Sequence, residues 1–384
     1  MIGTIPYGRQ NIDQSDIDAV IDTLKSDFLT QGPKVIEFET KFAQYVGARY
    51  AILTGNATEA LHLSAQALGT NNSSVVLTTP ITFVASANCV SYCGGRIDFV
   101  DIDSQTALMD LDKLEEKLGT KPYGYYSGVI PVDFAGLPVD LERLRNIADK
   151  HNLWIIEDAC HAPGGYFIDS KGQEQRCGNG VFTDLSVFSF HPVKHIACGE
   201  GGMITTNNEQ LYKQLCLLRT HGITKEPELL NQHDGGWYYE MQQLGYNYRM
   251  PDILASLGIT QLAKVDKSIE RRIEIARRYD QAFDDTTIDN SVGHYRKGNA
   301  YHLYVIQVER RKELYDYLRS RGIFAQVHYI PVHLMPYYRQ LGWKEGDLPN
   351  SEQYYKHCLS LPMYPSLTEE EQEHVIDCVL LFEN

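Results

Sequence analysis

Hydrophobic residues along this chain alternate between the spacing of amphipathic helices and the short runs of buried strands. Apolar positions three or four residues apart predict helices at 16–24, 33–45, 57–68 and 141–148. Short apolar runs predict strands at 51–53, 75–78, 96–100, 128–133 and 153–158. In the first helix, Ile17, Val20, Ile21 and Leu24 form one apolar face.

The second half of the chain adds a hairpin and a long helix to this pattern. A glycine-rich turn at 199–202 predicts a hairpin between strands at 187–190 and 203–206. A helical pattern from 262 to 283 leads into the last part of the chain. The alternation predicts an α/β fold with a mostly parallel sheet flanked by helices and a site at the C-terminal strand ends. We expect a large domain over residues 1–265 and a smaller C-terminal α+β domain over residues 266–384.

Composition narrows the class of protein. The 384 residues are 43% hydrophobic with a formal charge of −15, so the chain should fold and should not bind nucleic acid or anionic membranes. There is no basic-then-apolar N-terminal signal and no apolar run long enough to span a membrane. The eight cysteines show no CxxC pair and no zinc-like grouping, which predicts reduced thiols, no metal and a cytoplasmic protein.

A lysine and a carboxylate carry the strongest chemical signal. Lys194 follows the strand at 187–190, and Asp158 ends the strand at 153–158. Pyridoxal phosphate (PLP) needs this pair, because a lysine amine condenses with its aldehyde and a carboxylate pairs with its pyridinium nitrogen. A single lysine near a strand end is more often a solvated surface residue, so other segments must decide.

Further segments fit the same cofactor, although each has an ordinary structural alternative. The turn that starts the helix at 57 offers backbone N–H groups to a phosphate, or is simply a capped helix start. Ser189 offers a hydroxyl to the same phosphate. Phe83 fits a stack on the cofactor ring or a place in the core, and His161 fits a place near the ring or a bridge between backbone groups. The residues of the turn are Thr54, Gly55, Asn56, Ala57 and Thr58.

Together these segments resemble the DegT/StrS-type nucleotide-sugar aminotransferases. The matching segments, in the family's order, are 54–58, 80–87, 157–162, 188–194 with 199–202, 219–222 and 244–250. The resemblance covers essentially the whole chain. It implies a fold-type I PLP transferase with a mixed, mostly parallel seven-stranded sheet and a smaller C-terminal domain.

The resemblance also implies roles for individual residues. Lys194 would anchor the cofactor and act as acid and base, and Asp158 would keep the pyridine nitrogen protonated. Ala57, Ser189 and Asn247 would bind the phosphate or the adjoining substrate. Asn247 would come from a partner subunit, which implies a homodimer with shared active sites. The nucleotide-sugar channel would be lined by Tyr7, Asp27, Phe28, Leu29, Thr30, Gln326, Val327, His328 and Tyr329.

Within the family, the chain is most similar to the aminotransferases of pseudaminic acid biosynthesis. These move an amine from L-glutamate to carbon four of a UDP-linked 4-keto-6-deoxy-N-acetylhexosamine. Three alternatives stay open: another UDP- or dTDP-keto-sugar, a PLP-dependent sugar dehydratase, and a non-catalytic homologue. Lys194 argues against the dehydratase, in which a histidine replaces the lysine. Arg249, Arg219 and His221 are candidate anchors for the donor carboxylate.

Overall fold

The computed structural model describes residues 3–383, which form thirteen α-helices, fifteen strands and three short 3₁₀ turns. The helices are α1 (Gln14–Leu24), α2 (Pro33–Val46), α3 (Ala57–Ala67), α4 (Ala85–Tyr92), α5 (Leu111–Gly119), α6 (Leu141–His151), α7 (Glu209–Arg219), α8 (Asp252–Leu262), α9 (Val265–Phe283), α10 (Arg311–Ser320), α11 (Pro336–Gln340), α12 (Pro349–His357) and α13 (Glu369–Glu383). The strands are β1 (Ile5–Pro6), β2 (Tyr50–Thr54), β3 (Val75–Thr78), β4 (Arg96–Phe99), β5 (Gly128–Ile130), β6 (Trp154–Asp158), β7 (Tyr166–Ile168), β8 (Glu174–Arg176), β9 (Leu185–Ser189), β10 (Gly202–Thr206), β11 (Ile223–Thr224), β12 (Glu240–Met241), β13 (Tyr304–Gln307), β14 (Ile323–Phe324) and β15 (Cys358–Leu361). The 3₁₀ turns are Phe134–Gly136, Pro227–Leu229 and Val332–Leu334.

A seven-stranded sheet organises the first two thirds of the chain. Its order is β2-β10-β9-β6-β5-β3-β4. Strands β9, β6, β5, β3 and β4 pair in parallel, whereas β10 is antiparallel to both β9 and β2. The predicted mostly parallel, mixed sheet is therefore confirmed, and so is the β9–β10 hairpin. Because β6 and β9 are paired in parallel, their carboxyl ends lie side by side. Parallel sheets carry their functional sites at these ends.

The apolar face predicted for the first helix is not covered within the chain. Ile17, Ile21 and Leu24 are 45%, 39% and 55% exposed, although α1 forms where the spacing predicts it. The buried residues of α1 are instead Asp16 and Thr23, and the Asp16 carboxylate accepts a hydrogen bond from the Thr260 hydroxyl on α8.

The long helix predicted over 262–283 is confirmed as α9, which begins three residues later than predicted, at Val265, and ends at Phe283. The preceding helix α8 ends at Leu262. Lys264, between them, is held by ion pairs from its ammonium to Asp13 and Asp16 at 2.8 and 2.6 Å. These pairs tie the junction to the start of α1.

A separate hydrophobic cluster lies in the last third of the chain. Helices α9, α10 and α13 pack on the antiparallel β13–β15 pair, with Tyr279, Tyr304 and Val375 fully buried among them. Ile5 joins the same cluster because β1 pairs with β14. The division of the chain at residues 265 and 266 stays a prediction.

The helices and the cysteines can also be compared with the expectations from composition. Within residues 3–383, no helix combines the length and apolar character needed to cross a membrane. All eight cysteines fall in this range and are free thiols, five of them buried.

Candidate active site

Lys194 and Asp158 meet at the carboxyl edge of the sheet. Asp158 is the last residue of β6 and pairs in register with Val187 of β9, the strand that leads to Lys194. Burial lowers the pKa of Lys194, while the negative charge of Asp158 acts in the opposite direction. A lysine of lowered pKa exchanges protons more readily near neutral pH, as an acid–base group must.

The Asp158 carboxylate is buried and held by two donors. Ser86 donates its hydroxyl proton to Oδ2 at 2.6 Å, and the Cys160 backbone N–H donates to Oδ1 at 3.2 Å. A carboxylate offers about four lone-pair positions, so room remains for the N–H of a pyridinium ring. Sequence reasoning missed Ser86, which lies far from Asp158 along the chain.

His161 lies in a group of buried aromatic side chains beside Lys194. The Ala135 N–H donates to its Nδ1 at 3.3 Å, so Nδ1 is unprotonated and Nε2 carries the hydrogen that faces the Tyr329 hydroxyl at 3.2 Å. Burial holds the pKa of His161 well below its usual range, which keeps the ring neutral. His302, which the sequence did not single out, has its ring centre 4.2 Å from that of His161.

Two more predicted residues join this group. The Tyr7 ring lies 5.1 Å from that of His328, whose Nδ1 contacts the Ser360 hydroxyl at 2.9 Å. Burial lowers the pKa of His328 to about 3. The structure thus brings Tyr7, His328 and Tyr329 to the side of the site that carries His161.

A second cluster of predicted residues forms at the start of α3. Asn56 caps the helix by accepting the Glu59 N–H at 2.9 Å, which leaves the Ala57 and Thr58 N–H groups without an acceptor within residues 3–383. Gly202 makes the close approach possible, since a Cβ there would lie 2.5 Å from the Asn56 carbonyl oxygen. Ser189 is the register partner of Gly202, so its hydroxyl lies on the strand beside these donors.

The same helix start carries an unpredicted negative group. A Cβ on Gly55 would lie 2.6 Å from Oε2 of Glu59, so the carboxylate folds back over the turn that contains Thr54 and Gly55. Burial raises the pKa of Glu59, and the neighbouring Glu200 adds to this effect.

Several predicted residues are exposed in the single chain. Phe83 is 60% exposed, which removes the alternative of a core phenylalanine. Asn247 is exposed and bridges to Thr220. The channel residues that lie on the surface loop between α1 and α2 are Asp27, Phe28, Leu29 and Thr30. Gln326 and Val327 are half-buried.

Arg219 does not point to a free anion site. Its guanidinium pairs with the Glu39 carboxylate and donates to the Leu53 carbonyl oxygen at 2.7 Å. This engagement argues against Arg219 as the anchor for the donor carboxylate.

A buried acidic group lies close to the site. The carboxylates of Asp133 and Glu157 and the thiol of Cys177 lie within 4.8 Å of one another, close enough for a metal. Glu157 precedes Asp158 on β6, so its side chain points to the opposite face of the sheet. A single proton shared between the Asp133 and Glu157 carboxylates would also allow the two groups to lie this close without a metal. The prediction of no metal therefore stays a prediction.

Comparison with known proteins places this chain in the class of sugar aminotransferases. Residues 10–380 match the DegT/DnrJ/EryC1/StrS aminotransferase family, and the chain belongs to it. The chain is 39% identical to the UDP-4-amino-4,6-dideoxy-N-acetyl-beta-L-altrosamine transaminase of Campylobacter jejuni, covering 97% of this chain and 96% of the relative. It is 37% identical to the spore coat polysaccharide biosynthesis protein SpsC of Bacillus subtilis, covering 98% and 96%.

A solved structure gives the same result for the fold. The aminotransferase PseC of Helicobacter pylori, described as involved in the biosynthesis of pseudoaminic acid, superposes with a TM-score of 0.89 at 29% identity. The match covers 99% of each chain. The predicted fold class and family are confirmed, and the protein is an aminotransferase.

Proposed function

We propose that the protein transfers the amino group of L-glutamate to carbon four of a UDP-linked 4-keto-6-deoxy-N-acetylhexosamine. The products would be UDP-4-amino-4,6-dideoxy-N-acetyl-β-L-altrosamine and 2-oxoglutarate, as in pseudaminic acid biosynthesis. The observation that carries the proposal is the half-buried Lys194 beside Asp158 in a chain 39% identical to a transaminase named for this product.

The residues present fit PLP at both ends of the cofactor. Asp158 keeps lone pairs for the ring nitrogen, and the unpaired N–H groups of Ala57 and Thr58 face a place for the phosphate next to Ser189. When bound, PLP supplies an aldehyde for the amine and a ring that delocalises the electron pair left on the donor carbon.

Each residue then has a task that its surroundings support. Asp158 holds the proton on the ring nitrogen by its negative charge. Lys194 would anchor the cofactor, and its Nζ would take up the α-proton of glutamate. His161 is neutral and packs beside this site, so it adds no charge that would oppose a protonated Lys194.

Exposed residues support a homodimer with shared sites. The uncovered α1 face of Ile17, Ile21 and Leu24 is the kind of surface that a second copy buries. Asn247 is exposed in one chain and can reach a partner's site only across such an interface. The cytoplasmic location, the glutamate donor and the channel roles of Tyr7 and the 27–30 loop belong to the same proposal.

Product analysis tests the proposal. The purified protein, saturated with PLP, is incubated with L-glutamate and a panel of UDP- and dTDP-linked 4-keto and 3-keto sugars, and products are identified by mass spectrometry. We expect a 4-amino product from the UDP-linked N-acetyl sugar, and ping-pong kinetics. Turnover of dTDP-sugars alone would contradict the proposed substrate, and a colourless protein indifferent to PLP would contradict the enzyme. Lys194→Ala is the control and should give no product.

A further inference from the structure

Two buried hydroxyl groups are hydrogen-bonded in sequence, and the second one contacts Asp158. The Ser86 hydroxyl lies 2.6 Å from Asp158 Oδ2, and the Thr82 hydroxyl lies 2.7 Å from the Ser86 oxygen. Ser86 is fully buried and Thr82 is 2% exposed. Neither residue has a role in the reaction as described so far.

The direction of the hydrogen bonds follows from the number of protons. Ser86 has one hydroxyl proton, and the short contact places it on the ionised Asp158 carboxylate, which can only accept. The Thr82 hydroxyl must then donate to Ser86, because the Ser86 oxygen has no second proton to give. Successive donors in a dry site polarise one another, so the Thr82 hydroxyl strengthens the hydrogen bond that Ser86 donates to Asp158.

Helix capping does not account for these hydroxyls. Helix α4 begins at Ala85 with no side-chain hydrogen bond at its cap, although Thr82 and Ser86 flank that start. The alternative acceptor for Ser86 is the Phe83 carbonyl oxygen at 3.3 Å, a longer and weaker contact than the one to Asp158.

The hydrogen-bonded pair of Thr82 and Ser86 also connects two expected contacts of the cofactor. Thr82 precedes Phe83, whose 60% exposed ring is available to stack on the face of a bound ring. The same loop therefore carries the stacking residue and, through Ser86, the support of the carboxylate that faces the ring nitrogen.

We propose that Ser86 and Thr82 are positioning residues that hold the Asp158 carboxylate oriented toward the pyridine nitrogen, with Thr82 acting through Ser86. This inference rests on the proposed function, because it needs PLP at Asp158. The inference predicts a larger effect for Ser86 than for Thr82. Removal of Ser86 removes the direct donor to Asp158, whereas removal of Thr82 only weakens a donor that remains.

The test compares cofactor binding and colour in Ser86→Ala, Ser86→Cys and Thr82→Val, without any substrate. Apo-protein is titrated with PLP, and the bound cofactor is then titrated with pH while its absorbance is followed. For Ser86→Ala we expect PLP affinity to fall about 10-fold, the loss of a hydrogen bond to a charged group. We also expect the colour change of bound PLP to move to higher pH, because a less protonated ring nitrogen leaves the link to Lys194 more basic. Thr82→Val and Ser86→Cys should shift both quantities less, in the same direction.

Two buried hydroxyls elsewhere provide matched controls. Ser64 donates to the Ala60 carbonyl oxygen at 2.7 Å, and Thr78 to the Ile130 carbonyl oxygen at 2.7 Å. Ser64→Ala and Thr78→Val should leave the colour titration unchanged.

The possible results separate the two proposals. If Ser86→Ala binds PLP and titrates like the wild type, the inference is overturned while the proposed function stands. If Ser86→Ala does not fold, the same comparison made with Thr82→Val and Ser86→Cys decides, and wild-type titrations in both overturn it. A wild-type protein that takes up no PLP would overturn the proposed function itself.

Discussion

The buried pair of Asp133 and Glu157 gives a quantitative prediction for the variant Asp133→Asn. The Val139 N–H donates to Asp133 Oδ1 at 2.9 Å, and Glu157 Oε2 accepts from the Ser186 hydroxyl at 2.5 Å and from the Gly178 N–H at 3.0 Å. The other two oxygens, Asp133 Oδ2 and Glu157 Oε1, have no partner among residues 3–383. Burial, and then the charge of Glu157, raises the pKa of Asp133 well above its usual value. A proton kept on Asp133 and donated to Glu157 satisfies both atoms.

The pH dependence follows from this retained proton. An aspartate in the unfolded chain has a pKa of about 3.9, so between that value and the raised native pKa the folded state holds one proton more than the unfolded state. Stability should fall as pH rises through this window, by about 1.4 kcal/mol per pH unit. In Asp133→Asn the amide donates to Glu157 without a retained proton, so this slope disappears. Above about pH 5 and below the native pKa of Asp133, the free energy of unfolding of the variant should rise relative to that of the wild type by about 1.4 kcal/mol per pH unit.

Unfolding in guanidinium at pH 5.5, 6.5 and 7.5 measures this slope. The control is Asp140→Asn, because Asp140 is an exposed N-cap residue and asparagine caps a helix equally well. The control should follow the wild-type pH dependence. Parallel curves for Asp133→Asn and the wild type would refute the shared proton. A loss of wild-type stability on adding a chelator at constant pH would point instead to a metal held by the pair and Cys177.

Three further predictions concern the site and its surroundings. Glu59→Gln should tighten PLP binding to the apo-protein several-fold near pH 8, because it removes a negative charge beside the expected phosphate position. The gain should be smaller at low pH, because burial raises the pKa of Glu59 and its charge is lost on acidification. Weaker binding in a PLP titration would contradict this. Mixed dimers of Asn247→Ala and Lys194→Ala should recover part of the activity that each parent lacks, whereas no recovery would argue against a shared site. Arg219→Gln should cost roughly 3 kcal/mol in urea unfolding, because the largely buried Glu39 carboxylate loses its counter-charge and keeps only the Leu53 N–H as a donor. Unchanged stability with a raised KM for glutamate would restore Arg219 as the donor anchor.

The sequence predicted the parts of the fold that depend on local pattern. The strand from Trp154 to Asp158 could be read because an apolar run ends in a carboxylate, and α6 because Asp140 caps it. Lys194 is also recognisable from local pattern, because its segment and the glycines at 199–202 are close together in the sequence. The parallel order of the strands then determined that Lys194 and Asp158 meet.

Contacts between distant segments could not be read in this way. Ser86 lies 72 positions from Asp158, and although it falls within the family-like segment 80–87, no local pattern assigns its hydroxyl to that carboxylate. The spacing of Ile17, Ile21 and Leu24 predicted a helix but not the side that faces solvent, because a face covered by another chain has the same pattern as one covered by the core. The junction between α8 and α9 is held by ion pairs from Lys264 to Asp13 and Asp16, which no local pattern shows.

The central claim is that Lys194 forms the covalent link to the cofactor, and reductive trapping tests it most directly. The protein is incubated with PLP, reduced with borohydride, digested and analysed by mass spectrometry. The account predicts a pyridoxyl label on Lys194 and no specific label in Lys194→Ala. A label fixed on another lysine, or no label on the wild-type protein, would contradict it.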